Sequence, residues 1–170
     1  MKTQHYKKSS MRKTKSNKRS KTRTYSNTSS SFVVPSTTVH AMEKFQKQIT
    51  IIFFEMLLMI KLYHWKTHNY ATHKATDELY SSFNKNMDRF IEVLLGKTGT
   101  RIDLMDTKHI ELEDLNSQDS LKQKIHIFKR YLVSLDTNPT IKLMNNHDLL
   151  TIRDEMLADM NQFLYLLTLK

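Results

Sequence analysis

The chain has 170 residues, of which 39% are hydrophobic and 26% charged, with a formal net charge of +10 and no cysteine. Without thiols a disulfide framework is excluded, and an intracellular protein is the simpler expectation. Only two glycines and two prolines, with no alternating apolar runs, argue against a sheet, and the expected fold class is all-α.

Residues 1–40 carry 10 Lys or Arg and no Asp or Glu, whereas residues 41–170 carry 17 of each sign, so the whole positive excess lies at the N-terminus. The same segment holds 16 Ser or Thr and little apolar content, which predicts a disordered basic tail over residues 1–39. Lys2, Lys7, Lys8, Arg12, Lys13, Lys15, Lys18, Arg19, Lys21 and Arg23 would neutralise phosphates without reading bases. The partner expected is therefore nucleic acid of any sequence, bound less tightly as salt rises. A localisation signal, a transit peptide and a solubilising extension are the competing readings. A transit peptide needs an amphipathic helix, and Met1, Tyr6, Met11 and Tyr25 supply no apolar stripe.

Residues 40–170 predict one domain of four helices. The first, over residues 41–65, contains the run IIFFEMLLMI, apolar on nearly every face and so buried on several sides. At roughly 14 residues, interrupted by Glu55, this run is too short to span a bilayer, and no membrane partner is expected. Glu55 itself reads as a buried hydrogen-bonded acid, with an extra interior metal ligand as the other option.

The second helix, over residues 72–96, carries two stripes. Leu79, Phe83, Met87, Phe90 and Leu94 fall within an arc of roughly 80° and face the core. His73, Asp77, Asp88 and Glu92 fall within an arc of roughly 100° on nearly the opposite side. With His64, just before this helix, they offer imidazole nitrogen and carboxylate oxygen, a set suited to iron, manganese or zinc. Asp77 and Asp88 stand about 16 Å apart along the axis, so the two ends of the stripe do not hold one ion. A two-fold axis near Ser82 and Phe83 would bring His73 and Asp77 of one copy to Asp88 and Glu92 of another, with Tyr80, Ile91 and Leu95 packed in the isologous contact. A chance alignment of acids and histidines on a solvated face is the bland alternative. His68 is expected to be exposed.

Residues 97–118 predict a connector with short helical pieces at most. The third helix, from residue 117 or 119 to 135, buries Leu121, Ile125, Phe128, Leu132 and Leu135, and Pro139 sits in the turn after it. The fourth, over residues 146–167, buries Leu149, Ile152, Met156, Met160, Phe163 and Leu167, with Glu155 and Asp159 on a solvated face.

The order of these residues resembles the Dps-like mini-ferritins. The matching elements are His64-Trp65 at a helix end, His73 followed four residues later by Asp77, then Leu79-Tyr80, Asp88, Glu92 and the bend at Leu95-Gly96. Val93 stands where an arginine is common, and the segment between the two histidines is shorter than usual. The resemblance implies a ferritin-like four-helix bundle with a short connector between helices 2 and 3. It implies iron as the metal, with His64, His73 and Asp77 as catalytic ligands from one subunit and Asp88 and Glu92 from its partner. Trp65 would pack beside the site as a sink for oxidising equivalents. The assembly implied is a homo-oligomer of two-fold pairs, up to a hollow dodecamer, and some members use lysine-rich tails to condense DNA. The function expected is thus a DNA-binding mini-ferritin that binds and oxidises ferrous iron. The competing expectations are a non-enzymatic architectural protein that packs nucleic acid on a ferritin-like oligomerisation scaffold, and an interaction module with a localisation tail.

Overall fold

The computed structural model describes residues 36–169, which form four long helices and one short one, with no strand among the described residues. α1 spans Ser36–Lys66, α2 Tyr70–Thr98, α3 Gln118–Ser134, α4 Pro139–Lys142 and α5 His147–Leu166. The fold class is all-α, as its composition predicts. The basic residues expected to bind nucleic acid lie outside the described residues. α1 begins ahead of the start expected at residue 41, because Ser36, Thr37 and Thr38 already belong to it. First-turn amides have no intrahelical acceptor, so residues that compete for backbone hydrogen bonds cost little there.

Side-chain contacts at the two ends of the bundle set its topology. Gln46, near the start of α1, donates from its buried amide to Thr98 at 2.7 Å and Thr100 at 3.0 Å, where α2 ends. Lys66, at the end of α1, binds Asp114 and Asn116, just before α3 begins. The connector, residues 99–117, therefore travels the length of α1 from Gln46 to Lys66, about 30 Å. It delivers α3 to the end where α2 started. Gln118 reaches the Leu167 carbonyl at this end (3.2 Å), and Lys97 pairs with Asp148 at the other (2.8 Å). α1 and α5 thus run one way and α2 and α3 the other, joined by a single long crossover.

The predicted apolar stripes are the core. Leu79, Phe83, Met87, Phe90 and Leu94 are buried, as are all six inner residues of α5 and its cap, and α3 buries Leu121, Ile125, Leu132 and Leu135 with Phe128 half-buried. Phe53 packs edge-on against Phe83 and Phe90, with centroids 5.7 and 5.4 Å away. Each such ring contributes roughly 2 to 3 kcal/mol by leaving water.

Two local expectations change. Gly96 lies inside α2; the helix ends instead at Gly99, whose φ of 67° is left-handed and whose N–H returns to the Leu95 carbonyl at 2.9 Å. The connector, expected to hold short helical pieces at most, holds none, only a turn at Met105 and Asp106. Pro139 opens α4, where Asn138 caps the amides of Thr140 and Ile141, because a residue without an N–H loses nothing at the first helical position.

Candidate metal centre

Residues 67–69 reverse the chain between α1 and α2. Asn69 is extended and its side-chain oxygen accepts from the Thr72 amide at 2.9 Å, which starts α2 at once. So tight a turn sets the last turns of α1 against the first of α2, and His64 meets His73. Their rings stack with centroids 3.9 Å apart and planes 23° from parallel. His64 Nδ1 donates to the His73 carbonyl and His73 Nδ1 donates to the His64 carbonyl, both at 3.0 Å. The His64 carbonyl is among the last four of α1, which have no intrahelical donor, so the second bond also closes the helix end.

This reciprocal pair fixes the chemistry of both rings. A carbonyl oxygen only accepts, so each Nδ1 carries the hydrogen, and in the neutral ring each Nε2 keeps its lone pair. Thr76, fully buried, donates its hydroxyl to the Thr72 carbonyl at 2.8 Å and presents its oxygen 3.2 Å from His64 Nδ1. Such outer partners hold the ring orientation and tautomer of metal-binding histidines.

Asp77 completes the group on this chain. Its Oδ1 lies 3.8 Å from His64 Nε2 and 3.9 Å from Lys61 Nζ. Two donors each about 2.1 Å from one ion stand at most about 4.2 Å apart, so Nε2 and Oδ1 are close enough to share an ion. The Lys61 ammonium also lies 4.4 Å from the centre of the Tyr80 ring and 5.9 Å from that of Trp65.

The structure brings His64, His73 and Asp77 together and leaves Asp88 and Glu92 apart from them, exposed further along α2. Among the described residues of one subunit, no three His, Asp or Glu side chains converge to hold a metal ion. His73 and Asp77 are half-buried rather than wholly outward, because the end of α1 covers them. Tyr80, Ile91 and Leu95 are half-buried beside the stripe, Tyr80 and Ile91 packed against the core, and Leu58 on α1 is 43% exposed, so this face of α1 and α2 keeps partly exposed apolar residues among its charged ones.

Other expectations are corrected. Trp65 is 69% exposed and does not pack in its own subunit, since it lies about 100° around α1 from His64. Glu55 is half-buried on a groove of about 360 Å³ shared with Glu111, Glu113, Asp114 and Lys124, with no hydrogen bond among the described residues. It is therefore not the buried hydrogen-bonded acid expected. Glu155 and Asp159 join α5 to α2: Glu155 accepts from Arg89 at 2.9 and 3.2 Å, and Asp159 from the buried Asn86 amide at 3.1 Å. Arg89 and Glu155 are both exposed, so Glu155 lies on a solvated face as expected, while Asn86 and Asp159, one turn away, make a partly buried contact. His68 is exposed, as expected.

Sequence reasoning missed Lys61, Thr76 and Arg153. The first two were detectable from position, one turn before His64 and one turn after His73. Arg153 is buried in α5, donates to the Leu132 carbonyl at 2.9 Å and to Asp136 at 2.7 Å, and so closes the end of α3.

Comparison with known families matches residues 64–167, a span that contains all five candidate ligands, to a family of unknown function, DUF5856. No curated protein and no solved structure matches the chain.

Proposed function

The chain belongs to the DUF5856 family, and from that premise we propose that it is a mini-ferritin-like protein that binds and oxidises ferrous iron at sites completed across a two-fold subunit pair. In this reading its basic N-terminal segment associates with nucleic acid without sequence preference. The observation that carries the iron reading is the reciprocal histidine pair. Two rings held in the tautomer that offers Nε2, beside a carboxylate oxygen at 3.8 Å, form half of a mixed nitrogen and oxygen site. The bundle with one long crossover, a connectivity that ferritin-like folds use, supports the same reading.

Ferrous iron is the substrate. His64, through Nε2, and Asp77, through Oδ1, receive it from one chain, and His73 stacks behind His64. Asp88 and Glu92 of a second copy supply the harder oxygen donors that favour the ferric product. Each ion gives one electron to an oxidant such as hydrogen peroxide or dioxygen, and the ferric ion moves on to mineral. The partly exposed apolar residues Leu58, Tyr80, Ile91 and Leu95 would form the surface on which the second copy packs.

Replacing Asp88 and Glu92 together by alanine tests this. Both are exposed in one subunit, so helicity by circular dichroism should persist while rapid ferrous oxidation, followed by absorbance, is lost. Oxidation at the unaltered rate would remove both residues from the site.

One observation favours a second reading. The Lys61 ammonium beside Asp77 already balances that carboxylate. On this view the bundle is an oligomerisation scaffold without metal chemistry and the protein packs nucleic acid as an architectural component.

A further inference from the structure

Asp77 Oδ1 stands between two groups of different kind, His64 Nε2 at 3.8 Å and Lys61 Nζ at 3.9 Å. A divalent ion shared by His64 and Asp77 would have to sit against the same oxygen that faces the ammonium. Lys61 is not locked in place. Its side chain is 27% exposed, and its ammonium also stands over two ring faces, Tyr80 at 4.4 Å and Trp65 at 5.9 Å. The four-carbon stem can carry the charge from the carboxylate to solvent without moving the helix, because the head is a compact, strongly hydrated ammonium on rotatable bonds. The aromatic faces hold it weakly and without direction.

We propose that Lys61 is a displaceable resident cation of this site, which holds Asp77 in place before metal arrives and sets a threshold that a divalent ion must exceed to bind. The inference rests on the metal reading of His64, His73 and Asp77 and extends it to selectivity. A monovalent cation gains no more from Asp77 than the ammonium already does. A divalent ion gains about twice the Coulomb attraction and adds coordination by His64 Nε2, so it displaces the lysine. Lys61 is a positioning residue here and touches no reacting atom.

The test uses the full chain and cobalt(II) as the probe, with affinity measured by calorimetry and coordination followed by visible absorbance. Lys61→Met keeps the stem that covers Tyr80 and removes the charge; Lys61→Arg keeps the charge. Removal of the competitor should tighten cobalt binding about 1.5- to fivefold, the scale of a partly exposed ion pair, while the arginine variant stays at or below wild-type affinity. Equal affinity in all three proteins, or weaker binding in Lys61→Met, would overturn the role given to Lys61 and leave the metal site standing. Absence of cobalt binding in all three, with helicity intact, would overturn both the site and this inference.

Discussion

At His64 the decisive feature is which nitrogen is tied down. Its Nδ1 is committed to the His73 carbonyl, and His73 returns the same bond, so the His64 ring cannot turn without losing its tie to α2, nor the His73 ring without breaking the contact that closes α1. Arg153 shows the same economy at another helix end. Its guanidinium holds the Leu132 carbonyl and keeps the Asp136 carboxyl below its ordinary value of 3.8, chiefly by a direct hydrogen bond, against a smaller desolvation effect and with help from the charges of Arg153 and Lys142. A carboxyl with a lowered folded-state pKa contributes stability above its unfolded value and loses it as pH falls through the folded one. The Asp136 contribution is therefore complete at neutral pH and declines below about pH 4. Arg153→Met should destabilise the bundle by about 1 to 3 kcal/mol at neutral pH, because the Leu132 carbonyl loses a charged donor and keeps only the Leu135 N–H. Thermal melts from pH 7 to 3 should also show a smaller loss of stability on acidification in the variant than in the wild type. Parallel curves would mean that the Arg153–Asp136 bond does not act in solution.

At the scale of the helix, the two glycines separate a residue that ends α2 from one that merely lies in it. Gly99 takes φ 67° and a Cβ there would meet no atom within 4 Å, so the whole effect of Gly99→Ala is backbone strain, about 1 kcal/mol of destabilisation. Gly96 is helical with equally open space, and Gly96→Ala should stabilise by roughly 0.5 to 1 kcal/mol. Opposite signs in thermal melts are the expected result; a destabilising Gly96→Ala would return the end of α2 to Gly96. The four long helices and the stripes they bury were legible in the sequence because a period of 3.6 in apolar residues reports a buried face directly. The grouping of His64, His73 and Asp77 was legible too, as spacing around a short turn. Polar partners were not. Thr76, Lys61 and Arg153 act through contacts between helices, and Trp65 looked like a packing residue only because composition carries no information on which side of α1 the next helix lies. Helix ends were blurred for a similar reason: Ser36 and Pro139 are read as lying outside helices, although first-turn positions tolerate both.

At the scale of the whole molecule, charge is divided along the sequence. The ten Lys and Arg of residues 1–40 face no acidic residue in their own segment, whereas the 17 basic and 17 acidic residues of residues 41–170 balance. Deleting residues 1–31 should leave the bundle folded and abolish salt-sensitive binding to duplex DNA in a mobility-shift assay. DNA binding retained by the truncated chain would place the contact on the bundle. The partly exposed apolar residues of α1 and α2 make a separate demand, since a second copy packed there would join the His64, His73 and Asp77 end of one subunit to the Asp88 and Glu92 end of the other.

Anaerobic titration of the purified protein with ferrous iron, followed by hydrogen peroxide while absorbance and particle size are recorded, bears most directly on the iron site proposed between paired subunits. Such a site requires a saturable uptake of about two ions per subunit pair, rapid oxidation on adding peroxide, and a particle larger than one chain. A monomer that neither takes up ferrous iron nor speeds its oxidation would contradict it, and would leave the reciprocal histidines as a device for closing the end of α1.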